Sequence, residues 1–242
     1  MAHDSVPMLK KITSGILICL CALGSPARAD DKYPPVETMK ADCESGKALS
    51  CVLLGSAYLA GAAGLTKDFT QAEHYLGLGC SVNADACWGA GRLEVTGAGG
   101  AVDIKLAAAN FKKGCLMKHA ESCDELGILY TNGTGVAKDD VHANKLFMAG
   151  CSYGSAMACT ALGGAYINGT GITKDEKKAF TSFSKACTGK DANGCLLLAR
   201  IYSVGYGIPK NKAKAIELVK RAMTYAPDLQ VAKDTLKEFQ AQ

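Results

Sequence analysis

Aromatic residues are scarce in this sequence, 7% of 242 residues with one tryptophan, which argues against a stacking platform for flat ligands. Charge is thin as well. Only 21% of residues are charged and only four are arginine, so the formal +4 is a dispersed lysine excess and not a nucleic-acid footprint. Long apolar runs are absent beyond the first 30 residues. No C-x-x-C occurs, which leaves a thioredoxin-type redox role unsupported, and no H-E-x-x-H offers a zinc-protease ligand set. A hydrophobic content of 48% and a mean hydropathy near zero nevertheless exclude a disordered chain. What is plentiful is cysteine. Twelve residues, about 5%, are more than a reducing compartment normally favours.

The one apolar run, Ile12 to Leu23, follows Lys10 and Lys11 and precedes Ser25-Pro26-Ala27-Arg28-Ala29. A basic start, a short greasy stretch and an Ala-x-Ala end describe a cleavable export signal. As a helix the run would span only about 18 Å against a bilayer core of roughly 30 Å. Residues 1–29 are therefore expected to be removed, leaving a secreted or periplasmic chain with no membrane span.

The other ten cysteines keep a clock: 43 and 51, 80 and 87, 115 and 123, 151 and 159, 187 and 195. Pair follows pair at about 36 residues, the signature of a repeat solenoid. Within a pair the step is eight, once seven. Eight residues of continuous helix would separate the α-carbons by about 12 Å, whereas a disulfide tolerates roughly 7 Å at most. The pair can bond only if the chain reverses between them. The first Cys should end one helix, the second begin the next, and the bond staple the corner. Zinc knuckles want closer spacing, so no metal is implied.

Other residues share the period. Leu54, Ala90, Leu126, Leu162 and Leu198 are each followed by a small residue, Gly55, Gly91, Gly127, Gly163 and Ala199. Tyr58, Glu94, Tyr130, Tyr166 and Tyr202 come three positions later, on the same helical face as the Leu column. Glycine-rich turns come next, as in Asn132-Gly-Thr-Gly135. Asp68, Asp103, Asp139 and Asp175 then stand where a second helix needs a cap or first-turn acid. The turns follow a helix and not a strand, so they do not read as phosphate loops. The sequence thus predicts an all-α solenoid of αα-hairpins stapled by disulfides. Residues 30–42 form a lead-in, 43–225 carry five repeats, and 226–242 supply a C-terminal capping helix.

The paired Cys, the L-G-x-x-Y helix and the N-G-T-G-V-x-K-D turn resemble the Sel1-like repeat, a relative of the tetratricopeptide repeat, and in their pairing the secreted Helicobacter cysteine-rich proteins. That resemblance implies a disulfide-stapled superhelix serving as an interaction scaffold, or alternatively a weak β-lactamase that binds penicillin-type β-lactams. The residues add little to the second possibility. Ser182-Phe183-Ser184-Lys185 is the one S-x-x-K, a match expected by chance, and neither S-D-N nor K-T-G accompanies it. Catalytic residues are therefore unassigned, and no cofactor is implied. His74, His119 and His142 fall at unlike repeat positions and read as surface histidines.

What remains is a surface. Solenoids bind along their concave face, here expected to be lined by the helix that follows each second Cys. Positions one and five after that Cys form a stripe: Trp88 and Arg92, Asp124 and Ile128, Thr160 and Gly164, Leu196 and Arg200. A protein or peptidoglycan-type ligand is the expected occupant. Tryptophan beside arginine is a combination enriched at interface hot spots. The alternative for Trp88, packing between repeats, stays open at this level.

Overall fold

The structure is a computed structural model that describes residues 33–241, so the expected signal peptide lies outside the described residues. Among the described residues twelve helices follow one another: α1 (Val36–Glu44), α2 (Ala48–Ala60), α3 (Phe69–Gly79), α4 (Ala84–Thr96), α5 (Ile104–Leu116), α6 (Ala120–Asn132), α7 (Asp140–Tyr153), α8 (Ala156–Asn168), α9 (Glu176–Thr188), α10 (Ala192–Val204), α11 (Lys212–Tyr225) and α12 (Gln230–Ala241). Five hairpins, α2–α3 through α10–α11, stack behind α1, and α12 closes the array. It is the αα-hairpin solenoid expected from the period. Among the described residues no helix is long and apolar enough to cross a membrane.

Each hairpin is built by the same local chemistry. The even-numbered helices end on Gly61, Gly97, Gly133, Gly169 and Gly205, all in the left-handed region at φ between 66° and 80°. Glycine adopts that conformation without a Cβ penalty, which is why the chain turns there. The next helix opens on Asp68, Asp103, Asp139, Asp175 or Asn211, whose side chains accept from the backbone N–H three residues on. The backbone N–H of each capping residue returns to the carbonyl of Tyr58, Glu94, Tyr130, Tyr166 or Tyr202 in the preceding helix, closing the turn from both sides.

Inside the hairpin the small-residue column meets a large one. A Cβ on Gly91, Gly127 or Gly163 would stand within about 2.6 Å of the Phe111, Phe147 or Phe183 ring, and one on Gly55 within 2.8 Å of Leu76. Only glycine lets these helices approach so closely. In the last hairpin the corresponding residues are Ala199 and Val219, both fully buried, so a larger residue on one helix is matched by a smaller one on the other.

The corners behave differently. Cys43–Cys51, Cys80–Cys87, Cys115–Cys123, Cys151–Cys159 and Cys187–Cys195 are all bonded, with α-carbons 4.4 to 4.8 Å apart. The first Cys sits at the end of an odd-numbered helix and the second in the first turn of the next. These corners pack less extensively than the hairpins, so the covalent bond lies where apolar contact is weakest. Closing nine residues is worth roughly 2–3 kcal/mol in the chain-entropy account. Successive even helices, α4 with α6, α6 with α8 and α8 with α10, approach one another more closely than successive odd ones. The even helices therefore form the inner, concave side.

Candidate ligand groove on the inner face

A cavity of about 740 Å³ opens on that inner side between α2, α4, α6 and the α7–α8 turn. Val52, Leu76, Ala86 and Trp88 make its apolar floor, Asp85, His119 and Glu121 one polar wall, and Lys118 and Tyr153 its edges. Its size falls in the range of ordinary ligand sites. It lies where two small clusters of buried side chains meet, one around Val52 and Ala86 and one around Phe111 and Leu126.

His119 organises the polar wall. It is the N-cap of α6, and its Nδ1 accepts from the Ser122 backbone N–H at 3.1 Å. The Ser122 hydroxyl lies 2.9 Å from the same nitrogen. With Nδ1 as acceptor, Nε2 carries the proton and donates to Asp85 Oδ1 at 3.1 Å, with Glu121 Oε2 at 3.6 Å. Ser122, His119 and Asp85 are thus linked in the order of a Ser–His–Asp triad. The hydroxyl, however, is 0% exposed behind Gly114, where no substrate carbonyl can reach it. The linkage is a helix cap extended to the neighbouring repeat. His119 is accordingly not the surface histidine its repeat position suggested; its side chain is mostly buried.

Trp88 answers both descriptions left open by the sequence. It packs against the buried cluster around Phe111 and also lines the groove. Its ring centre lies 6.0 Å from that of His119 and 6.0 Å from the Arg92 guanidinium carbon. Its indole N–H is buried with no hydrogen-bond partner.

The rest of the stripe divides in two. Trp88 meets the His119 cap, Asp124 bonds the Ser155 cap of α8, and the Thr160 hydroxyl donates to Asp191, the cap of α10, at 2.5 Å. Each pair is 31 residues apart, so this half of the stripe couples one repeat to the next. Leu196 is buried in the core of the last repeats. The other half faces outward: Arg92 is exposed and forms an ion pair with Glu125 at 2.7 Å, Ile128 and Gly164 line a smaller hollow, and Arg200 is exposed. The structure brings Trp88 and Arg92 together; Arg200 lies three hairpins away.

Two buried carboxylates stand out electrostatically. Desolvation raises Asp124 to about 6, against the opposing hydrogen bond from Ser155, with help from Glu125 and Glu121. Glu94, which replaces the Tyr of its column, is 2% exposed and is raised to about 7 by desolvation, with the nearby Glu73 charge adding to it. The Asn110 amide, donating to both Glu94 oxygens at 2.8 and 3.1 Å, works the other way. Ser182 of the S-x-x-K sequence is 5% exposed and lines a small hollow together with Lys178 and Lys185. Among the described residues no group of three or more His, Cys, Asp or Glu side chains could hold a metal ion.

Comparison with known families finds the Sel1 repeat over residues 48–81, 84–119, 120–148, 156–191 and 192–222. Among solved structures the chain is similar to a protective antigen of uropathogenic Escherichia coli that displays an SLR fold, with a TM-score of 0.76 and 23% identity over 83% of this chain and 43% of the antigen. The chain thus spans under half of that protein's length. A Sel1 repeat protein from Oxalobacter formigenes gives 0.69 and 20% identity over 79% of this chain and 85% of its own. Helicobacter pylori cysteine rich protein B gives 0.45 and 26% identity over 53% and 93%. A search of curated protein sequences gives no match.

Proposed function

The chain belongs to the Sel1 repeat family, and from that premise we propose that it is an exported scaffold whose concave face binds a protein or cell-envelope ligand. One observation carries the reading: the 740 Å³ groove on the inner face, floored by apolar side chains and walled by the Asp85–His119–Glu121 cluster. Five disulfides agree with an oxidising compartment. Trp88 is the anchor at the groove, with Arg92 beside it and Ile128 and Arg200 extending the face along the array; Asp124, Thr160 and Leu196 hold the helices that present it.

The alternative, hydrolysis of β-lactams, rests on resemblance alone. The Ser122–His119–Asp85 linkage has a buried hydroxyl, and Ser182 is buried as well. Nitrocefin turnover by the oxidised chain, unaltered by Ser122→Ala and Ser182→Ala, would place any activity elsewhere in the molecule.

The scaffold reading is tested by passing native envelope extract over the immobilised, oxidised chain and over its Trp88→Ala variant. A component retained by the first and lost from the second, with the melting temperature of both recorded, supports binding at the groove. Equal retention by both would remove the groove from the account.

A further inference from the structure

Charge is sorted between the two sides of the solenoid. The even helices α2, α4, α6, α8 and α10 contain no lysine at all, whereas α5, α7, α9 and α11 contain ten. The inner helices carry Asp85, Glu94, Glu121, Asp124 and Glu125 against only Arg92 and Arg200. Glu94 and Asp124 are buried, so the carboxylates this inner wall presents at its surface are Asp85, Glu121 and Glu125.

The acidic residues are not spread evenly along that wall. Asp85 and Glu121 both lie at the groove, with exposed side chains, joined through one His119 Nε2–H. Each carboxylate offers that proton one of its two oxygens, Asp85 Oδ1 and Glu121 Oε2. Val52, Leu76, Trp88 and Tyr153 line the same groove. Glu125, by contrast, is already paired with Arg92. Lys118, the groove's one lysine, sits on the α5–α6 turn at its margin.

We propose that this groove selects a basic peptide segment. One lysine or arginine side chain enters it, with its ammonium or guanidinium held by Asp85 and Glu121 and its aliphatic stem lying over Val52, Leu76 and Trp88. A long cationic side chain matches such a site in both parts, because its stem is apolar and its head charged. The Asp85 and Glu121 carboxylates favour a cationic partner over an anionic one by charge complementarity. The inference deepens the scaffold reading and rests on it.

Trp88 is the only tryptophan, so its fluorescence reports the groove directly. The experiment titrates the oxidised chain with the blocked hexapeptide Ala-Leu-Lys-Leu-Ala-Gly, and with versions carrying Arg, norleucine or Glu in place of Lys. The expected result is a saturable Trp88 response to the Lys and Arg peptides that weakens with added salt. The norleucine peptide should bind at least tenfold more weakly, and the Glu peptide not at all. Asp85→Asn with Glu121→Gln, which keeps an acceptor for His119, should abolish the preference for Lys over norleucine. Equal binding of Lys, norleucine and Glu peptides would overturn the cationic specificity and leave the groove as a scaffold site. No response to any of the four at millimolar concentration would overturn both.

Discussion

Gly163 and Phe183 share one space: a Cβ on Gly163 would lie 2.6 Å from Phe183 Cε1. The same fit recurs at Gly91 with Phe111 and at Gly127 with Phe147, so in these three hairpins the spacing is set by one glycine each. Gly163→Ala should therefore destabilise the array by about 1–3 kcal/mol, despite alanine's better helix propensity. Phe183→Ala should cost roughly 3–5 kcal/mol. Urea unfolding followed by circular dichroism measures both, and the two effects should fall well short of additive because the residues touch.

The corner staples predict a different pattern. Non-reducing peptide mapping should recover five local bridges. Replacing Cys151 and Cys159 together by Ala should lower stability by roughly 2–3 kcal/mol while most of the helical signal persists at room temperature. Complete loss of that signal would show that the repeats do not behave as near-neighbour units.

Most of the architecture was legible in the sequence because its causes are local. Chain reversal between paired Cys, the turn glycines and the Asp caps all act within a dozen residues, and each recurs five times or nearly so. The groove was not legible in that way. Its wall joins Asp85 to His119 and its lining gathers Val52 and Trp88 from different repeats, an arrangement that no pattern within one repeat displays. One signal was present. Asn83, His119, Ser155 and Asp191 stand four residues before the second Cys of the last four pairs, and all four cap the helix that begins there. Reading that column would have placed His119 at a helix start facing the repeat before it. Burial of Asp124 and Leu196 depends on how far each repeat rotates on the last, which periodicity alone does not specify.

Acidity should stabilise the fold through Glu94. Its folded pKa, about 7, lies above the ordinary 4.5, so the folded state holds a proton that the unfolded chain has lost between these values. The contribution is complete below about pH 4.5 and is lost as pH rises through 7. It amounts to about 3 kcal/mol. Glu94→Gln should remove that part of the slope and leave the protein more stable than wild type at pH 7.5. Thermal melts of both from pH 4.5 to 7.5 check this; parallel curves would contradict it.

Trp88 separates packing from recognition. Its buried indole N–H has no partner, so Trp88→Phe keeps much of the apolar contact and deletes an unsatisfied donor. Its melting temperature should stay within a few degrees of wild type. Trp88→Ala should cost up to about 3 kcal/mol, below the full burial figure because the ring is only partly covered. Both should weaken binding at the groove, and their difference in stability allows the two effects to be told apart.

The most direct test of the inner groove as the binding site is site-specific photo-cross-linking in the native envelope. A benzophenone side chain is placed at Ser56, inside the groove, or at Lys112 or Lys177 on the outer helices α5 and α9. The account predicts one discrete adduct from Ser56, reduced by Asp85→Asn with Glu121→Gln, and none from the two outer positions. Adducts from Lys112 and Lys177 with none from Ser56 would contradict it.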